Sequence, residues 1–255
     1  MAHISINDVT KTFHTARKET HALNRASLEI PDGEILCIVG PSGCGKTTLL
    51  NLVAGFHEPS SGFILVEGEP VEGPSSQRAV VFQADAVFPW LSVKDNVGFG
   101  LAAQGRNREK EDRVNHYLDL VGLSDFAKTY PKELSGGMRK RVDLARAYAS
   151  GPEVLLLDEP FGALDLFTKE AMWLALKRVT ALEPKTIIFV THDIEEALFL
   201  GDRVVVMTPR PARIHSVINV PFGAERNLDL RTDPQFQKMR ADIAHTLREV
   251  HHGAA

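Results

Sequence analysis

The sequence predicts an α/β protein: a mostly parallel sheet covered by helices, with a block of helices inserted into it. Three observations carry the prediction. The run Ile35-Leu36-Cys37-Ile38-Val39 reads as a strand buried on both faces, and it leads directly into a glycine-rich loop and a helical pattern. From residue 154 onward, apolar strand patterns alternate with helical ones, an arrangement that brings strands parallel. Between about residues 92 and 150 the patterns are helical, which interrupts the core with a separate block.

Taken in order, residues 3–9 and 22–30 carry alternating or β-branched apolar residues suited to strands, so a sheet begins the chain. Residues 48–54 follow the glycine-rich loop as a helix, and residues 93–104, 107–121 and 138–150 form the helical block. A buried strand returns at 154–157, then a helix at 166–182, a strand at 186–190 and a short helix at 194–200. Strands near 203–207 and 214–220 complete the sheet. Asp233-Pro234-Gln235 is a helix start, Asp as cap and Pro in the first turn, opening a terminal helix towards Glu249. The charged stretch 106–113 mixes signs at helical spacing and reads as a solvated face.

Composition narrows the partners. Against 29 Lys+Arg stand 33 Asp+Glu, a net charge of −4, so there is no bulk electrostatic reason for a nucleic-acid partner. Two cysteines, Cys37 and Cys44, are too few and too close together for a disulfide framework, which points to a reducing compartment. No apolar stretch approaches the ~20 residues needed to span a bilayer, and residues 1–8 lack the regions of a secretory leader. A membrane role would come through a partner.

Gly40-Pro41-Ser42-Gly43-Cys44-Gly45-Lys46-Thr47 fits G-x-x-x-x-G-K-[ST] between a buried strand and a helix that begins with Thr48. Glycines let the backbone wrap phosphates with its amides inward, and the helix start adds partial positive charge. Lys46 then meets the β- and γ-phosphates of ATP and Thr47 meets Mg²⁺. Cys44 reads either as a thiol activated by the helix start or as a filler at a variable position.

Val154-Leu155-Leu156-Leu157-Asp158-Glu159 is an apolar strand ending in two acids, and ligands of open α/β sheets sit at the carboxyl ends of strands. Asp158 suits Mg²⁺ and Glu159 suits polarising a water that attacks the γ-phosphate. His192 follows another apolar strand and projects to the same edge. Ser135-Gly136-Gly137 precedes a helix whose stripe is Met138, Val142, Ala145 and Ala149. Ser135 is either an ordinary N-cap or part of a second anion site that has no lysine of its own.

With these motifs in place, the chain resembles the ATPase subunits of ABC transporters over almost its whole length. Residues 40–47 resemble their Walker A and residues 154–158 their Walker B, followed by the catalytic-type Glu159. Ser135-Gly136-Gly137 resembles the signature, Gln83 the Q-loop glutamine, Ala163-Leu164-Asp165 the D-loop and His192 the switch histidine. The resemblance implies a P-loop NTPase core of mostly parallel sheet with an antiparallel β region and an inserted α-helical subdomain. Its boundaries are core at about 1–91 and 151–220, helical subdomain at 92–150 and a C-terminal extension at 221–255. It further implies a head-to-tail homodimer sandwiching two ATPs, in which one subunit's signature closes on the other's nucleotide. Gln83 would sense Mg²⁺ and the γ-phosphate, and Phe13 would stack on adenine where tyrosine is more usual, its rival role being a core phenylalanine.

Met138 departs from the usual glutamine of the signature, and Asp143 and Tyr148 from a small residue and a leucine. Glu72-Gly73-Pro74, Val81-Phe82-Gln83, Phe88-Pro89-Trp90-Leu91-Ser92-Val93, Asp95-Asn96-Val97, Phe167-Thr168 and Asp233-Pro234-Gln235-Phe236 are similar to the nitrate, sulfonate and taurine import branch. The resemblance therefore implies an ATP-hydrolysing importer subunit at the cytoplasmic face of the inner membrane. It would work with two permease subunits and, indirectly, a substrate-binding protein. Phe88, Pro89 and Trp90 either dock on the permease or pack the helical block. A soluble ATPase of the same superfamily acting on nucleic acid or ribosomes would carry a coiled coil or two cassettes in one chain. A P-loop kinase would leave residues 135–137 and the Asp158-Glu159 pair unexplained.

Overall fold

The computed structural model describes residues 2–15, 18–84, 86–162 and 164–252. Ala163 of the Ala163-Leu164-Asp165 run lies outside them. Two sheets stand at the centre. A four-stranded antiparallel sheet is ordered β2-β1-β4-β5, from β1 (Ile4–Thr15), β2 (Lys18–Ile30), β4 (Ser61–Val66) and β5 (Glu69–Pro70). A six-stranded sheet has the order β10-β9-β3-β8-β7-β6, from β3 (Ile35–Val39), β6 (Arg78–Val81), β7 (Val154–Asp158), β8 (Thr186–Val190), β9 (Arg203–Met207) and β10 (Ile214–Asn219). Within it β6, β7, β8, β3 and β9 run parallel, and β10 closes the edge antiparallel to β9.

The parallel strands are apolar through their middles, with polar residues such as Arg78, Asp158, Thr186 and Arg203 at their ends, because both faces are covered. Their period of two divides each strand between two cores. Leu36, Ile38, Leu156, Ile188, Val190 and Val205 face a core shared with β1 and with α1 (Lys46–Ala54). Cys37, Val39, Leu155, Leu157, Phe189 and Val204 face the opposite core, shared with the remaining helices. These are α2 (Val93–Ala103), α3 (Asn107–Leu120), α4 (Gly136–Ala149), α5 (Leu166–Leu182), α6 (Ile194–Leu200) and α7 (Pro234–His252).

Helices α2, α3 and α4 pack mainly on one another, and each boundary has a local cause. Ser92 caps α2 by accepting from the Asp95 amide at 3.2 Å. Gln104 and Gly105 follow α2, Gly105 with φ of +73°. In α4 the buried stripe is Val142, Ala145 and Ala149, with Met138 half-buried at its start. Asp143 and Tyr148 are buried too: Asp143 is ion-paired with Arg146, and the Tyr148 ring packs 6.0 Å from that of Tyr117. Asp233 caps α7 by accepting from the amides of Gln235 at 2.7 Å and Phe236 at 3.2 Å.

Candidate nucleotide site

The parallel strands deliver their carboxyl ends to one edge, and that edge is the site. Residues 40–47 leave β3 there, Gln83 lies two residues past β6, Asp158 ends β7 and His192 lies two residues past β8. The loop closes over the first turn of α1, with Gly43 at φ +70° and Gly45 at φ +128°, conformations open to glycine. Lys46 is buried, and its Nζ donates to the carbonyls of Gly40 at 2.8 Å and Pro41 at 3.1 Å.

A cleft above this loop is lined by Phe13, Thr20, Gly43, Gly45, Lys46, Thr47, Thr48, Glu159 and Arg210, among others. Phe13 is therefore a cleft wall and not a core residue. Its ring is half-exposed, lies edge-on to His57 at 5.4 Å and carries the Lys11 ammonium 5.1 Å from its centroid. Gly40, Pro41 and Ser42 complete the loop outside that lining.

Cys44 overturns one of its two readings. Its side chain is 2 % exposed and packs in the core beneath the loop. Burial pushes the thiol up, against the opposing pull of Lys46 and the loop amides, so the helix start does not activate it.

The acids are held for different tasks. The Thr47 hydroxyl donates to Asp158 Oδ1 at 3.1 Å. Burial raises the Asp158 carboxyl, the Thr47 bond lowers it, and Glu159 and Lys46 act in opposite senses. Glu159 takes a φ of +44°, a left-handed conformation unusual for a residue with a side chain, and its amide donates to Val190 O at 2.9 Å. Its Oε2 lies 3.0 Å from His192 Nδ1 and accepts from Gln83 Nε2 at 3.5 Å. Three residues far apart in sequence thus meet at one oxygen. The oxygens of Thr47 and Asp158 form a small hard donor pair that suits Mg²⁺, an ion that keeps water and phosphate oxygens for its other positions.

Ser135 and Asp165 stand apart from the cleft of their own chain. Ser135 caps α4 by accepting from the Met138 amide at 3.2 Å, and it remains exposed. Asp165 caps α5 through the Thr168 amide at 3.1 Å and the Thr168 hydroxyl at 2.6 Å. The two helix starts touch: a Cβ placed on Gly137 would come 2.4 Å from Thr168 Cγ2, so any larger residue there would displace the Thr168 side chain. The result is an edge formed by two helix starts, outside the lining of the chain's own cleft.

Several contacts lie beyond the motifs. Lys140 is buried, and its Nζ donates to the carbonyls of Phe82 at 2.9 Å, Gln83 at 2.8 Å and Ala84 at 3.3 Å, tying α4 to the Gln83 segment. Glu196, buried in α6, accepts from Trp173 Nε1 at 3.0 Å and from the Thr191 hydroxyl, which anchors the turn that carries His192. Nothing local in the sequence marks a lysine or glutamate in a helix as buried. Arg210, three residues past β9, could have been found by the carboxyl-edge rule that singled out His192.

This fold and cleft define a P-loop nucleotide cassette with an inserted helical block. The chain matches the ABC transporter family model over residues 23–162 and belongs to that family. It is 44% identical to a taurine import ATP-binding protein of Roseobacter denitrificans over 256 residues, 98% of this chain and 96% of that protein. It is also 44% identical to a nitrate import ATP-binding protein of Synechocystis over 253 residues, 96% of this chain and 95% of that protein. A dimeric structure of the bacterial ABC transporter cassette MJ0796 superposes with a TM-score of 0.76 at 31% identity, covering 86% of this chain and 100% of that one. A dimeric post-hydrolysis structure of the same cassette, bound to ADP and Pi, gives 0.74 at 29% identity, with the same coverage of both chains. The protein is an ATP-binding subunit and ATPase of the nitrate/taurine branch of that family.

Proposed function

We propose that this chain drives import of a small anion, such as nitrate, taurine or an alkylsulfonate, as one half of an ATP-sandwiching homodimer bound to two separate permease subunits. A substrate-binding protein would feed the permease from the other side of the membrane. No helix among the described residues is long and apolar enough to cross a membrane. In this reading the chain works as a peripheral subunit on the cytoplasmic face of the inner membrane, through the permease. The observation that carries the reading is the meeting of Glu159, Gln83 and His192 beside the phosphate loop.

In this mechanism Lys46 exchanges its two carbonyl bonds for the β- and γ-phosphates of ATP, while amides of residues 40–47 and Thr48 cradle the chain. Phe13 packs against adenine. Thr47 and Asp158 would hold magnesium, with Gln83 as a further contact, and the ion would supply neutralisation of phosphate charge. Glu159 accepts a hydrogen bond and then the proton from the attacking water, and His192, fixed on the same carboxylate, aligns that water against the γ-phosphate. Ser135, Gly136 and Gly137 of the second copy complete the phosphate shell from the far side, with Asp165 close to that seam. Because Lys140 grips the Gln83 segment, closure at the signature helix passes to residues 83–93. Trp90, 71% exposed, presents an apolar face there for the permease. Phe88 beside it is held by Phe99 at 4.5 Å and by the Arg146 guanidinium at 5.0 Å.

The test is Glu159→Gln, which keeps the shape and removes the base. ATP affinity stays within about twofold, turnover falls by about 10²-fold or more, and gel filtration with ATP shows a stable dimer. Rapid turnover in this variant removes Glu159 from the reaction.

A further inference from the structure

Arg210 belongs to none of the motifs above, yet its side chain enters the nucleotide cleft. It sits on the turn between β9 and β10, and β9 lies next to β3 in the sheet, so the turn hangs over the phosphate loop. A Cβ built on Gly43 would lie 3.0 Å from the Arg210 guanidinium nitrogen Nη2, which places the charge directly above the loop backbone. Arg210 is exposed, and among the described residues its guanidinium has no hydrogen bond or ion pair. Other arginines at the surface of this chain are spent: Arg25 on Asp8, Arg203 on Glu34, Arg231 on Glu170 and Glu195. A free guanidinium aimed into a cleft whose floor is built for phosphate has an obvious partner in the polyphosphate itself, since arginine binds phosphate oxygens through a fork of parallel donors.

We infer that Arg210 is a second cationic contact for the bound nucleotide, reaching its phosphates from the β9–β10 turn opposite Lys46. The inference rests on residues 40–47 being the phosphate cradle. It also gives the sheet edge a use: nucleotide entry would draw the β9–β10 turn onto the loop, so one ligand ties together β3, α1 and the last two strands.

The experiment is calorimetric titration of the full chain with Mg-ADP and with a non-hydrolysable ATP analogue, using Arg210→Ala, Arg210→Gln and Arg210→Lys, with Lys46→Ala as control. At about 50 mM salt, Arg210→Ala and Arg210→Gln each raise Kd by about fivefold or more, and Arg210→Lys recovers part of the loss. At about 500 mM salt the loss shrinks below about twofold, because a solvent-facing charge contact is screened. A Kd within twofold of the parent at low salt in both neutral variants, or a tighter one, overturns the inference. So does a loss of the same size at both salt concentrations, which marks a purely structural role for the turn. If Arg210→Ala melts below the assay temperature, Arg210→Gln, which keeps length and polarity, decides. Lys46→Ala separates the two readings: if it too leaves affinity unchanged, the cradle assignment fails; if it alone abolishes binding, only the role of Arg210 does.

Discussion

Cys44 stands between two loop glycines, but its thiol points down into the apolar layer under α1. Side-chain direction, not sequence position, decides its chemistry: burial raises its pKa and steric closure keeps reagents out. Native protein at pH 7.5 should leave Cys44 unalkylated by iodoacetamide whether or not ATP is present, with labelling appearing only in denaturant; peptide mass mapping reads this directly. Modification in the native state that ATP suppresses would restore the activated reading. Glu159 shows the converse, a residue whose backbone is forced to φ +44° so that its carboxylate can meet His192 and Gln83 at once.

At the scale of elements, α6 is fastened by buried charge. Glu196 bonds Trp173 and Thr191, and burial holds its carboxyl above the ordinary range against the pull of those two donors. Arg226 donates to the carbonyls of Leu198, Phe199 and Gly201 at 2.9–3.0 Å, satisfying the C-terminal carbonyls of α6 that the helix leaves open. The sign of the Glu196 effect follows from linkage. A carboxyl whose folded pKa is raised binds its proton more tightly in the native state, so the stability it adds is complete below the unfolded value and is lost as pH rises through the folded one. Glu196→Gln removes this term while Asp158 and the other acids remain. Urea melts should show the parent gaining stability relative to Glu196→Gln between pH 7.5 and pH 5, and parallel profiles across that range would exclude a raised carboxyl at Glu196.

At the scale of the molecule, one copy offers the cleft at one edge and the exposed starts of α4 and α5 at another, and in the proposed homodimer the seam between two copies would join them. The contact of Gly137 with Thr168 keeps those two helix starts together as one surface. Ser135→Arg adds bulk and charge to that surface without touching the cleft of its own chain. Affinity for ATP should change by less than about threefold while turnover falls by about 10²-fold. Combined with Glu159→Gln, it should abolish the ATP-dependent dimer seen by gel filtration, and a dimer persisting in the double variant would move the phosphate-completing surface elsewhere.

Much of this was legible residue by residue. The bounds of α5, β8, α6 and β9 agree with the sequence patterns, because periods of 3.6 and 2 are written within a few neighbouring side chains. The glycine loop, the Asp158-Glu159 pair and His192 could be assigned to one edge because parallel strands all deliver their ends to the same side. Strands β4, β5 and β6 escaped the reading: they are short, and in β4 only Ile64 and Val66 are buried, too little for a period. Nor could sequence show that Lys140 grips the Gln83 segment, that Cys44 turns inward, or that Arg210 overhangs Gly43. The Lys140 contact joins α4 to a segment 57 residues away, the direction of Cys44 is set by the apolar layer beneath its loop, and the Arg210 position depends on the strand order 10-9-3-8-7-6, which seats β9 beside β3. Local spacing thus determined which chemistry the chain carries, and the tertiary sheet order decided which charges meet, because contact between distant residues is a property of packing and not of neighbourhood along the chain.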